Sequence, residues 1–211
     1  MQDLWLYFIV TLVTCATPGA GVLMTVTSAF RFGRERAFIA PTGNAFGVLV
    51  MSALSAVGLG AVITSSALLF NLLQIAGALV LAWMGWKNWR AKPLDLSGLS
   101  GVKQGTAGRA SHIFMNSALL QVTNPMLFVF LISLMPPFIR PGDDYALSIS
   151  VLIGIFVLTC LAVHLAYSYT ACFASKWLHG KRFSFWLNHV SAALFWLCAA
   201  GVLWRTLQPL L

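Results

Sequence analysis

The sequence predicts an all-α integral membrane protein, with six transmembrane helices in two inverted three-helix repeats and helices 1 and 4 broken at proline-containing motifs. Three observations carry that prediction. Of 211 residues, 59% are hydrophobic and only 9% charged, with a mean hydropathy of +0.85, too little polar surface to close a water-soluble globule. Six apolar runs reach the roughly 20 residues that a spanning helix needs. Two of those runs carry a proline among polar neighbours at corresponding places.

The runs cover about Leu4 to Ser28, Ala37 to Ile63, Leu68 to Trp86, Ile113 to Ile139, Ala146 to Cys172 and Phe183 to Leu203. The first opens on Met-Gln-Asp without the basic segment of a signal peptide and is long enough to span, so it reads as a helix of the fold. A net charge of +8 would suit nucleic acid if it were spread over a surface, but here the basic residues cluster between apolar runs. Arg31, Arg34 and Arg36 follow the first run; Lys87, Arg90, Lys92, Lys103 and Arg109 follow the third; Lys176, Lys181 and Arg182 follow the fifth. Only Arg140 and Arg205 fall on the other side, beside Asp143 and Asp144. Positive charge stays cytoplasmic, so both termini are expected outside the cytoplasm.

The connection from Ala91 to Ala110, with Pro93 and Gly98, Gly101, Gly105 and Gly108, reads as a cytoplasmic linker within one transmembrane domain of 211 residues. It separates repeat 1, about residues 1–90, from repeat 2, about 111–211. Three spans per repeat is an odd number, so the halves enter the membrane with opposite orientation. Pro18 lies fourteen residues after Leu4, and Pro125 fourteen after Ser111. A lone proline in a membrane helix commonly makes only a kink. Paired breaks at matching places point to a transport site, because backbone groups freed at membrane depth need a polar cavity to receive them.

Thr11, Thr14, Thr17, Gly21, Thr25 and Ser28 recur at helical spacing along the first run, and Ser117, Gln121 and Asn124 along the fourth. The threonine stripe suits pore lining or close packing with hydroxyls bonded back to their own carbonyls. The Gln121 and Asn124 amides need outside partners, which favours a binding position. Pro18 and Pro125 lack the N–H that would bond the carbonyls of Thr14 and Gln121, and beyond each break a half-helix starts with free N–H groups. Such a pair of breaks supplies donors for a carboxylate and acceptors for an ammonium. In the second run Asn44 is expected to line the path, and Gly43 and Gly47 permit a close helix approach.

No carboxylate falls at membrane depth: Asp3 is terminal, and Glu35, Asp95, Asp143 and Asp144 lie in connections. This counts against a bound metal and against an intramembrane carboxylate proton carrier. His164, sharing a helical face with Cys160 and Tyr167, is the deep titratable group, and His164 with Tyr167 forms the proton-coupling pair to examine; a neutral, hydrogen-bonded histidine is the alternative. The cysteines Cys15, Cys160, Cys172 and Cys198 lack metal or redox spacing and read as packing residues. No cofactor motif is present.

TPGAG at 17–21, GNAFG at 43–47, AGALVLAWMGWKNWR at 76–90 and TNPMLFVF at 123–130 together resemble the lysine-exporter and homoserine/threonine-efflux family. The resemblance implies a multi-pass bacterial inner-membrane carrier that exports amino acids by proton-driven antiport, as a homodimer. Two positions depart from the family pattern: Ala20 and Gly21 stand where a second proline and a polar residue are usual, and Met126 where a lysine is. The function expected is therefore export of amino acids or related small zwitterions. The substrate site would be drawn from Thr14, Thr17, Pro18, Gly19, Gly21, Asn44, Gln121, Asn124 and Pro125. The alternatives are a non-transporting membrane partner subunit and an intramembrane enzyme, the latter without any catalytic motif.

Overall fold

A computed structural model describes residues 4–17, 19–65, 67–92, 109–139, 144–173 and 181–207. Among them there are helices and turns but no strand. The linker residues 93–108, together with Asp3, Pro18, Arg140, Asp143 and Lys176, lie outside the described residues.

The first apolar run is two helices, α1 (Leu4–Ala16) and α2 (Ala20–Phe32), inclined at 55° to each other. A run of Thr17, Pro18 and Gly19 cannot continue the helical ladder, which fixes the break there. Gly33 ends α2 at φ 75°, a backbone conformation closed to side chains with a Cβ, and its N–H caps the Ala29 carbonyl. A short 3₁₀ turn, Arg34–Arg36, leads into α3 (Ile39–Ser65), where Pro41 sits in the first turn and so removes no ladder bond. Then come α4 (Ala67–Trp89), α5 (Ala110–Val122), α6 (Pro125–Leu134), α7 (Tyr145–Phe173) and α8 (Lys181–Leu207). The fourth run is thus also interrupted, between Val122 and Pro125, and Pro125 opens the second piece.

The helices α1 and α2 pack on α7, while α5 and α6 pack on α3. Helix α4 pairs with α8, α4 also meets α6, and α1 meets α8. Small residues set these distances. A Cβ on Gly43 would run into the Phe114 carbonyl and one on Gly47 would lie 2.6 Å from the Ala118 carbonyl, so the G-x-x-x-G pair serves packing of α3 on α5 within the chain. A Cβ on Gly85 would lie 2.6 Å from the Trp196 ring, whose Nε1–H donates to the Ala82 carbonyl at 3.0 Å. Hydroxyls tie other pairs: Tyr145 donates to the Ala56 carbonyl and Ser168 to that of Ala37.

The outer faces are apolar. Leu158 and Leu197, in mid-helix on α7 and α8, are 67% and 68% exposed. Side chains of that kind over a whole molecule need lipid rather than water. Three segments among the described residues, Arg34–Leu59, Tyr145–Cys172 and Phe185–Trp204, are long and apolar enough to cross a membrane, and α1 with α2 make a fourth if counted as one bent span.

Candidate functional site

A cavity of about 360 Å³ lies against both helix breaks. It is reached by Thr14, Thr17, Gly19 and Gly21 from the first break, by Gln121 and Asn124 from the second, and by His164 from α7. Phe130, Phe156 and Phe195 wall it on another side, with ring centroids 6.2 and 6.3 Å from Phe130.

Gly21 is where the polar groups converge. A Cβ built there would stand 2.8 Å from the Gln121 amide nitrogen, 3.2 Å from His164 Nε2 and 3.8 Å from Asn44 Nδ2. The absent side chain is the space these groups occupy. His164 is buried, and its Nδ1 lies 2.8 Å from the Cys160 carbonyl. A carbonyl only accepts, so Nδ1 carries the proton, and in the neutral ring Nε2 is a bare acceptor turned towards the α1–α2 break. Cys160 Sγ stands 3.4 Å from the same Nδ1, and Cys15 also lines the cavity.

The remaining expected residues divide. Thr14 and Thr17 line the cavity while donating back to the carbonyls of Val10 and Val13, both at 2.7 Å. The Thr17 hydroxyl also lies 3.0 Å from that of Ser191, which joins α8 to the break. The half-buried Asn124 accepts from the Leu127 N–H at 3.4 Å and so caps α6. Asn44 does not line the cavity: fully buried, it donates to the Gly21 carbonyl at 3.2 Å and the Thr25 hydroxyl at 2.9 Å, locking the first turn of α2 onto α3. Tyr167 does not line it either, and its hydroxyl donates to the carbonyl of Ala16, the last residue of α1, at 2.7 Å. Pro18 lies outside the described residues, and Pro125 is placed as the first residue of α6.

One expectation is corrected. The carbonyls of Thr14 and Gln121 are not left open by the breaks, because the N–H groups of Thr17 and Asn124 turn back onto them at 3.3 and 3.1 Å. Each first half-helix tightens into an i to i+3 bond at its end, the usual way a helix terminus satisfies its last carbonyls. At the second half of the first break, α2 begins after Gly19 with no side-chain cap.

Against these geometries stand the comparisons with known proteins. The family model for the LysE type translocator matches residues 12–206. The chain belongs to the LysE-type translocator family. Members of this family are amino-acid efflux transporters, not enzymes. Similar proteins include the homoserine/homoserine lactone efflux protein of Salmonella typhimurium (strain LT2), 29% identical with 92% of each chain covered. An uncharacterized membrane protein of Vibrio cholerae serotype O1 is 30% identical, with 92% of this chain and 93% of that one covered. The leucine efflux protein of Enterobacter sp. (strain 638) is 28% identical over 65% of this chain and 64% of its own. No solved structure matches the chain.

Two polar residues of this LysE-type cavity escaped the sequence reading. Lys87 and Asn88, in the last turn of α4, line it. Both stand in a Trp-Lys-Asn-Trp run that reads as an interfacial anchor followed by cytoplasmic charge, and nothing in the spacing turns either side chain inward. Among the described residues, Lys87 is the one Lys or Arg in the cavity wall, and no carboxylate is part of it.

Proposed function

We propose that this LysE-type translocator exports small, mostly neutral amino acids or related zwitterions from the cytoplasm in exchange for protons. The observation that carries the reading is one cavity shared by two helix breaks, lined by amides, hydroxyls and an imidazole, with no carboxylate among its described lining residues. The uncapped start of α2 and the Gln121 amide nitrogen offer N–H donors to acceptor groups of a substrate, while His164 Nε2 is positioned to accept from an ammonium. The three phenylalanines suit an apolar side chain, and the volume is that of a small-molecule site. The printed names of two relatives, for homoserine/homoserine lactone and for leucine efflux, support substrates of this size.

Six spans in two inverted three-helix repeats account for the packing. Exchanging α1 and α2 with α5 and α6, α3 with α7, and α4 with α8 carries the pairing of α1 and α2 with α7 into that of α5 and α6 with α3, and returns α4 with α8 to itself. Rocking one repeat against the other would open the cavity to each side in turn. The family, the basic loops and the apolar helices support a bacterial inner-membrane carrier with both termini outside the cytoplasm. Protons would enter the cycle at His164, whose free Nε2 competes for the site with substrate; Tyr167 would hold the end of α1 in place beside it. Cys15, Cys160 and Lys87 share that cavity.

The test is transport by pure protein in proteoliposomes. Wild type moves labelled L-leucine or L-homoserine, and Asn124→Ala reduces that flux at least tenfold with protein still folded in the membrane. Flux unchanged in Asn124→Ala sinks the site, and a pure protein that moves no amino acid belongs instead to the partner-subunit class.

A further inference from the structure

The last turn of α4 holds two groups that nothing so far described satisfies. Asn88 Nδ2 is buried with no hydrogen-bond partner, although the residue lines the cavity. A buried amide donor left unpaired is costly, and an acceptor entering the cavity would recover that cost. Beside it the exposed Lys87 lines the same wall, with its ammonium 5.4 Å from the Trp83 ring centroid. Among the described residues it has no acidic partner. The acidic residues among the described ones lie elsewhere: Glu35 in the 3₁₀ turn after α2, and Asp144 accepting from the N–H groups of Ala146 and Leu147 at the start of α7.

We infer that Lys87 and Asn88 form a carboxylate-recognition wall that favours substrates with a free α-carboxylate. The inference rests on the export reading above and narrows its substrate class. A carboxylate fits both vacancies together: it is acceptor-only, so one oxygen takes the Asn88 N–H while the anion neutralises Lys87, and such charge-assisted bonds are the stronger kind. The C-terminal end of α4 by itself repels an anion through its carbonyl dipoles, and the Lys87 cation offsets that. Amino acids with cationic side chains gain nothing here, since the described residues of the cavity wall offer them a positive charge and no carboxylate. Substrates whose carboxyl group is blocked as an amide, ester or lactone leave Lys87 without a counter-charge.

The experiment compares L-leucine with L-leucinamide, which keeps the ammonium and the side chain but lacks the carboxylate, using purified full-length protein in proteoliposomes. Wild type prefers leucine. Lys87→Met and Asn88→Leu each raise the half-saturating concentration for leucine about tenfold, as expected for one lost charge-assisted bond, and leave that for leucinamide within about twofold. Lys87→Arg keeps the charge and restores the preference. Equal losses for both compounds, or a leucine value unchanged in the two variants, overturn the assignment. If one variant fails to reach the membrane, the other decides alone. Wild type that moves neither compound, nor L-homoserine, defeats the export reading itself, and this inference with it.

Discussion

Gly21 carries no functional group, yet its missing Cβ leaves room for the Gln121 amide and the His164 ring over the first break. Gly21→Ala is therefore expected to fold, because the nearest clash is with the far end of a flexible glutamine, and to lose at least tenfold in transport flux, measured in proteoliposomes against equal amounts of protein. His164→Asn should uncouple export: exchange of labelled for unlabelled leucine continues, while acceleration by an imposed pH gradient disappears. A variant that retains the gradient response removes His164 from the proton path. Asn44 works through structure, since its amide holds the Gly21 carbonyl and the Thr25 hydroxyl. Asn44→Ala should lower stability by about 1–3 kcal/mol by leaving those groups unpaired, read as a lower unfolding temperature in detergent. At this scale Gln121, Asn124 and His164 were legible in the sequence because a polar side chain at membrane depth needs a reason. Lys87 and Asn88 were not, because at a helix end such residues look the same whether they face water or a cavity.

The elements follow from length and punctuation. Six apolar runs became helical segments with ends within a few residues of those expected, since runs that long and greasy leave few alternatives. The breaks also appeared where prolines demanded them, but their local bonding did not follow from the proline alone. The Thr17 and Asn124 N–H groups close the carbonyls that a straight helix with a missing donor would leave open. Glycine pairs decide how close the elements come. Gly47→Val, which would drive a side chain into the Ala118 carbonyl of α5, should cost about 1–3 kcal/mol or more by overpacking and lower the yield of folded protein, whereas Gly58→Val, with nothing within 4 Å of a built Cβ, should not. Equal yields would mean that α3 and α5 do not pack closely in the membrane.

At the scale of the whole molecule, charge asymmetry sets orientation and packing sets the path. Eleven of the thirteen Lys and Arg residues fall on one predicted side. An alkaline phosphatase fusion, active only outside the cytoplasm, should therefore be active when joined after Leu207 and silent when joined after Arg90; the reverse pattern overturns the orientation. The sequence by itself determined the class, the number of apolar runs and the site of each break, because these depend on local composition and on the absence of water in lipid. Only the tertiary structure decided which polar residues share the cavity. Helical spacing states which side chains lie on one face, but not which neighbour covers that face. So Asn44, expected to line the path, turned to lock α2 onto α3, and Asn88, unremarked among tryptophans, turned inward with a donor still waiting for an acceptor.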